Sequence, residues 1–175
     1  QAGELMYAEK QDYYKYVLSQ GRKARTGVSS EVLQDLEEGR FTVFLQPKVR
    51  LKTGEIVGAE ALVRKKDASG KLTGPDKFIP FYEIEGVIRH VDLFVLETVC
   101  SLQKRWFSEG ICLRISVNFS RMTLIEPGIV GKMKELCQSY GVSPELVEIE
   151  VTESIGKLDP QQMERLLTEI KRAGF

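Results

Sequence analysis

Two hydrophobic rhythms alternate along the chain. Residues 4–20 contain neither Gly nor Pro, and Met6, Tyr13 and Val17 recur at spacings of seven and four, which predicts a helix. Residues 21–27 (GRKARTG) read as a basic, polar linker. Ser30 suits the cap of a short helix starting at Glu31, with Val32, Leu33 and Leu36 on its apolar side and Gly39 at its end. From Phe41 the period shortens to two. Residues 41–46 alternate as a strand that Pro47 closes, and a turn at Lys52-Thr53-Gly54-Glu55 leads into a second strand from Glu55 to Val63. The short connection makes the pair an antiparallel hairpin.

Residues 65–74 (KKDASGKLTG) predict a polar loop, and Pro75-Asp76 the first turn of a short helix that Pro80 interrupts. Val91, Phe94, Val95, Thr98, Leu102 and Trp106 recur at helical spacing and predict a long helix over 88–108. Leu113 to Phe119 reads as a strand, Pro127 to Gly141 as a helix, Val147 to Thr152 as a strand, and Pro160 to Gly174 as a last helix. After the hairpin the order is thus α-β-α-β-α. Its connections are long enough for helical crossovers, so those strands are expected to be parallel in an α/β fold.

Composition narrows the function classes. Twenty-five Lys+Arg balance twenty-five Asp+Glu over 175 residues, so no basic face for DNA or RNA is implied. No apolar run approaches a transmembrane segment, and residues 1–20 are too polar for a signal peptide. Cys100, Cys112 and Cys137 lack metal-ligand spacing and read as buried free thiols of a reducing, cytoplasmic compartment. With His90 as the one histidine, expected at the surface before a helix, a His-dependent zinc site or serine triad has little support. Neither GxxxxGK[ST] nor GxGxxG occurs.

Candidate chemistry lies on the strands. Buried parallel strands are usually apolar on both faces. Here Arg114, Ser116, Asn118 and Ser120 alternate with Leu113, Ile115, Val117 and Phe119, while Glu148, Glu150 and Thr152 alternate with Val147, Ile149 and Val151. A polar face running to the C-terminal strand ends suits a barrel, whose active site lies there. Glu60 is in phase with Gly58, Leu62 and Arg64, and Gln46 ends the first strand, so Gln46, Glu60, Arg64, Asn118 and Glu150 are expected to converge. Two carboxylates and an amide oxygen are hard ligands, suited to Mg²⁺ or Mn²⁺. Gln46 and Arg64 could then hold a substrate, Arg64 as a fork donor to phosphate or a guanine edge. The same residues taken singly also fit a solvated face and a strand-end cap.

Gly58-Ala59-Glu60-Ala61-Leu62-Val63-Arg64 resembles the signature of the EAL-domain family, cyclic di-guanylate (cyclic di-GMP) phosphodiesterases named for that tripeptide. Further motifs follow in family order. Gln46-Pro47 is similar to the family's substrate-contacting pair and Phe78-Ile79-Pro80 to its FIP segment. Ser116-Val117-Asn118-Phe119-Ser120 resembles SVN-x-S, and Glu150-Val151-Thr152-Glu153-Ser154 resembles E-x-T-E-S. The resemblance covers about residues 40–175 and implies a modified (βα)8 barrel with an antiparallel first strand. It implies Glu60, Asn118 and Glu150 as metal ligands, Glu60 and Glu150 as catalytic, and Gln46, Leu62 and Arg64 as substrate-binding. Two metals would activate a water and a phosphodiester oxygen, giving the linear dinucleotide. Glu153 would support the site.

Two departures shape the expectation. Lys65 replaces the aromatic residue that usually follows the family's Arg, and the sequence stops at Phe175, before the Asp-Asp-Phe strand and the later lysine and glutamate. By that reading the chain is the N-terminal portion of an EAL domain (27–175), an incomplete barrel inactive on its own and prone to homodimer or edge-mediated association. Residues 1–26 would be a preceding helix and linker, since Glu4-Leu5-Met6-Tyr7-Ala8-Glu9-Lys10 resembles the final helix of a GGDEF domain. The alternatives are a degenerate EAL domain that binds the dinucleotide or a protein partner without hydrolysis, and an unrelated α/β barrel enzyme.

Overall fold

A computed structural model describes residues 25–152 and 159–175. In chain order it contains helix α1 (Arg25–Glu37), strands β1 (Phe41–Val49), β2 (Ile56–Lys66) and β3 (Leu72–Thr73), a 3-10 turn (Pro75–Lys77), and helices α2 (Ile79–Ile84) and α3 (Ile88–Ser108). Strand β4 (Arg114–Ser120), helices α4 (Arg121–Leu124) and α5 (Ile129–Ser139), a second 3-10 turn (Pro144–Leu146), strand β5 (Val147–Thr152) and helix α6 (Pro160–Ala173) complete it. The sheet runs β1-β2-β4-β5, with β3 paired to β2. β1 and β2 are antiparallel, whereas β2, β4 and β5 are mutually parallel, so the expected hairpin and crossovers are present in a mixed α/β sheet.

Several boundaries differ from the sequence reading. α1 begins at Arg25 and carries Ser30 inside it, so Ser30 is not its cap. The expected helix at 4–20 and Glu153 lie outside the described residues. β1 runs through Pro47 to Val49, with Pro47 opposite Ala59. This is possible because β1 is an edge strand, and an edge uses only some of its N–H groups in the ladder. The loop at 65–74 contains β3, which folds back on Lys65 and Lys66. Pro80 sits in the first turn of α2, where its missing N–H costs nothing, rather than interrupting a helix. α5 starts at Ile129, after Gly128 turns the chain with φ 77°, and not at Pro127. His90 is half-buried within α3, and Cys112 is exposed just ahead of β4 while Cys100 and Cys137 are buried.

One sheet face is the core. Ala59, Ala61, Ile115, Val117, Phe119 and Val147 are each no more than 5% exposed. The same core includes Val95, Leu96 and Val99 of α3, Met133 and Cys137 of α5, and Leu166 and Ile170 of α6. Burial of each large side chain here contributes about 1.5–3 kcal/mol. At the β1 end Phe41 packs on Phe78, Tyr82 and Phe94 at centroid distances of 5.7, 6.4 and 6.1 Å. Lys65 also points to this side. It forms an ion pair with Asp35 of α1 at 2.5 Å and donates to the Tyr82 hydroxyl at 2.7 Å.

Polar groups at the strand ends are satisfied from the helices. Gln103, wholly buried in α3, donates to the carbonyls of Leu113 and Leu146 at 3.1 and 3.0 Å, tying together the chain entries to β4 and β5. Gln103→Leu would leave both carbonyls without this donor and is expected to lower stability by about 2 kcal/mol. The check is a lower denaturation midpoint at unchanged slope; an unaltered midpoint would show that the two carbonyls find other donors.

Candidate functional site

The other face of the sheet is polar because of strand parity alone. In register, Gln46 pairs with Glu60, Phe44 with Leu62, and Thr42 with Arg64. Across the parallel strands Glu60 pairs with Ser116, and Asn118 with Glu150. Directly opposed residues share a face, so all five expected site residues lie on one side of the sheet.

Asn118 is half-buried and its amide Nδ2 donates to Glu60 Oε1 at 2.8 Å. Glu150 instead meets Lys48, whose Nζ lies 2.9 Å from Glu150 Oε1 and 3.1 Å from Glu148 Oε2. Three strand spacings separate β1 from β5, about 14 Å in a flat sheet, so this contact is made over the concave side of a curled sheet. Gly58 lies in register with Lys48 and keeps β2, the nearer of the two intervening strands, bare there; a Cβ would stand 2.7 Å from the Arg114 carbonyl oxygen. The Lys48 ammonium holds the Glu150 carboxyl below its ordinary range, with a smaller contribution from the Ser116 hydroxyl, and outweighs the opposing effect of burial. Burial pulls the Lys48 ammonium down, but the hydrogen bonds it donates to Glu150 and Glu148 more than offset this and raise its pKa overall.

Beside this cluster is a groove of about 410 Å³. Gln46, Leu62 and Arg64, the three expected substrate residues, line it together with Phe44 and Pro47; Leu72, Thr73 and Gly74 form its far wall. The Arg64 guanidinium is held by the Val63 carbonyl at 2.8 Å. The groove and the carboxylates adjoin through the Gln46–Glu60 pair.

Sequence reasoning missed two parts of this arrangement. Lys48 follows Gln46 at a spacing of two, so alternation places it on this face once the strand continues through Pro47. The β3 wall carries no motif, and nothing local marks it.

The strand ends are held from below by a buried carboxylate cluster. Ser120 donates its hydroxyl to Glu83 at 2.7 Å and its backbone N–H to Asp92 at 3.1 Å, and Thr123 donates to the same Asp92 oxygen at 2.5 Å. Burial pushes the Asp92 carboxyl up to about 7, against the lowering effect of Thr123 and the Ser120 N–H.

The sheet thus carries helices on one face and, on the other, carboxylate and amide oxygens beside a groove that holds an Arg guanidinium. The EAL domain model matches residues 29–175, and the chain belongs to the EAL-domain family. It is 27% identical over 180 residues to the signaling protein YkoW of Bacillus subtilis, covering 99% of this chain and 22% of that protein. It is 31% identical over 143 residues to the probable cyclic di-GMP phosphodiesterase PdeB of Escherichia coli, covering 81% of this chain and 28% of that protein. The chain therefore spans about a quarter of the length of these relatives. Among solved structures, the PaMucR phosphodiesterase in complex with c-di-GMP superposes with a TM-score of 0.75 at 27% identity, over 83% of this chain and 59% of that one. An EAL domain protein from Listeria monocytogenes gives 0.64 at 25% identity, over 83% and 56%.

Proposed function

We propose that this chain supplies the substrate groove and part of the metal-binding face of a cyclic di-GMP phosphodiesterase. The observation that carries the reading is the groove shared by Gln46, Leu62 and Arg64, adjoining the Glu60–Asn118 pair on one sheet face. Gln46 and Arg64 would grip the dinucleotide, Arg64 by a fork of two donors to a phosphate or a guanine edge, with Leu62 and Phe44 packing on its apolar surface. The probable cyclic di-GMP phosphodiesterase among the relatives named above, and the c-di-GMP complex among the structural neighbours, support that substrate.

Glu60, Asn118 and Glu150 fit Mg²⁺ or Mn²⁺ in donor chemistry, being two carboxylates and an amide oxygen on adjacent strands. The fit is partial, since the described residues contain no ready group of three His, Cys, Asp or Glu. When bound, the metals would supply a nucleophilic hydroxide and neutralise the phosphodiester charge. Glu60 would be oriented by the Asn118 amide, and the buried Ser120–Asp92–Glu83 cluster would hold the end of β4 in register behind it. Among the described residues β1 and β5 are the edges of the sheet, and further strands of a barrel would pair there. The EAL unit would begin near residue 27, and no helix among the described residues is long and apolar enough to cross a membrane.

Calorimetry with cyclic di-GMP tests the reading. Arg64→Ala is expected to weaken binding about tenfold to a hundredfold, the loss of a charge-assisted bidentate donor. Unchanged affinity would remove Arg64 and the groove from the site. Tight binding with no turnover by the natural protein that contains this sequence would favour the non-hydrolytic alternative.

A further inference from the structure

The most unexpected residue on the polar face is Lys48. Its ammonium reaches from one edge strand to the other and sits between two carboxylates, Glu148 at 3.1 Å and Glu150 at 2.9 Å. The contact is only partly exposed, with Lys48 and Glu150 side chains each 37% accessible, so it is screened less than a surface pair. Glu150 is also the carboxylate read above as a metal ligand, in register with Asn118. A divalent ion on Glu150 and a lysine ammonium hydrogen-bonded to the same carboxylate repel each other at these distances, so each weakens the hold of the other.

We propose that Lys48 is a built-in competitor for the metal: it sets the affinity of the site for divalent cations by holding Glu150 Oε1. The proposal rests on the metal reading given under Proposed function and adds to it a residue that determines how much metal the site needs. Two features make the competition a property of the fold. Gly58, in register with Lys48, leaves a side-chain-free path across β2, and its own close approach to the Arg114 carbonyl excludes any larger residue. Glu148 gives the ammonium a second acceptor one strand step below Glu150, so Lys48 can withdraw from Glu150 without losing every partner. Lys48 is thus a positioning residue that acts through Glu150.

The test is Mn²⁺ binding to the natural protein containing this sequence, followed by calorimetry and by the electron paramagnetic resonance signal of free Mn²⁺. Lys48→Met and Lys48→Gln are both expected to bind Mn²⁺ about tenfold more tightly than wild type, whereas Lys48→Arg, which keeps the charge, is expected to stay within about threefold. The gain should vanish when Glu150→Gln is combined with Lys48→Met, because the competed ligand is gone. A wild type that binds Mn²⁺ through Glu60 and Glu150, but with an affinity that Lys48→Met and Lys48→Gln leave unchanged, overturns the competition alone. Wild type and Lys48→Met both binding no better than a Glu60→Gln, Glu150→Gln double variant overturns the metal reading and the competition together. Circular dichroism of each variant identifies any that has failed to fold, and the other neutral variant then carries the comparison.

Discussion

On the proposed function, Glu60→Gln in the natural protein is expected to reduce cyclic di-GMP turnover about a thousandfold, the range for removing one electrostatic contact to a reacting phosphate or acyl centre. The substitution keeps the size of the side chain and an oxygen acceptor for the Asn118 amide, which now donates to Glu60 at 2.8 Å. It removes the negative charge that a divalent ion requires. Binding of the dinucleotide should survive better than turnover, because Gln46, Leu62 and Arg64 form the groove without Glu60. The measurement is formation of the linear dinucleotide by chromatography, beside calorimetric affinity. Turnover within a few-fold of wild type would take Glu60 out of the chemistry.

Asp92→Asn is expected to flatten the dependence of stability on pH between about 4 and 7. Asp92 is 5% exposed, and its carboxyl is pushed from 3.8 to about 7, chiefly by burial. A carboxyl with a raised pKa holds its proton in the folded protein where the unfolded chain has already lost it. The folded state therefore binds more protons across this window, and stability falls as pH rises through it. About three pKa units at 1.36 kcal/mol each give a loss of about 4 kcal/mol from pH 4 to pH 7. Glu150, whose pKa is lowered by Lys48, works in the opposite sense in the acid range, so the quantity to read is the difference between wild type and variant. Urea denaturation at several pH values supplies it, and parallel curves for wild type and Asp92→Asn would show that Asp92 does not titrate in the window. Asn can still accept from the Ser120 N–H and Thr123, so the variant is expected to fold.

Cys100 and Cys137, with sulfurs 3.7 Å apart between α3 and α5, show how little spacing says about contact: they are 37 residues apart and lie in two different helices. The same limit applies to the site. Alternation at a period of two was enough to place Ser116, Asn118, Glu148 and Glu150 on one face of β4 and β5, because successive strand side chains must point to opposite sides. The helical spacing over 88–108 was equally sufficient for α3, and the short turn at 52–55 for the antiparallel pair.

What the sequence by itself determined is therefore the type and order of most elements, the parity of each strand, and the motifs that carry the family resemblance. Only the tertiary structure decided which strands are neighbours and in what register. That register sets Gln46 against Glu60 and Asn118 against Glu150, and brings β3 to the groove wall. It also decided that Pro47 could stay within a strand, since an edge position tolerates the missing N–H, and which groups, Asp35 and Tyr82, Lys65 meets on the core side. Local sequence specifies dihedral preference and side-chain parity, which are short-range. The curl that carries Lys48 over to Glu150 arises from strand twist and helix packing summed across the whole sheet, and no single segment encodes it.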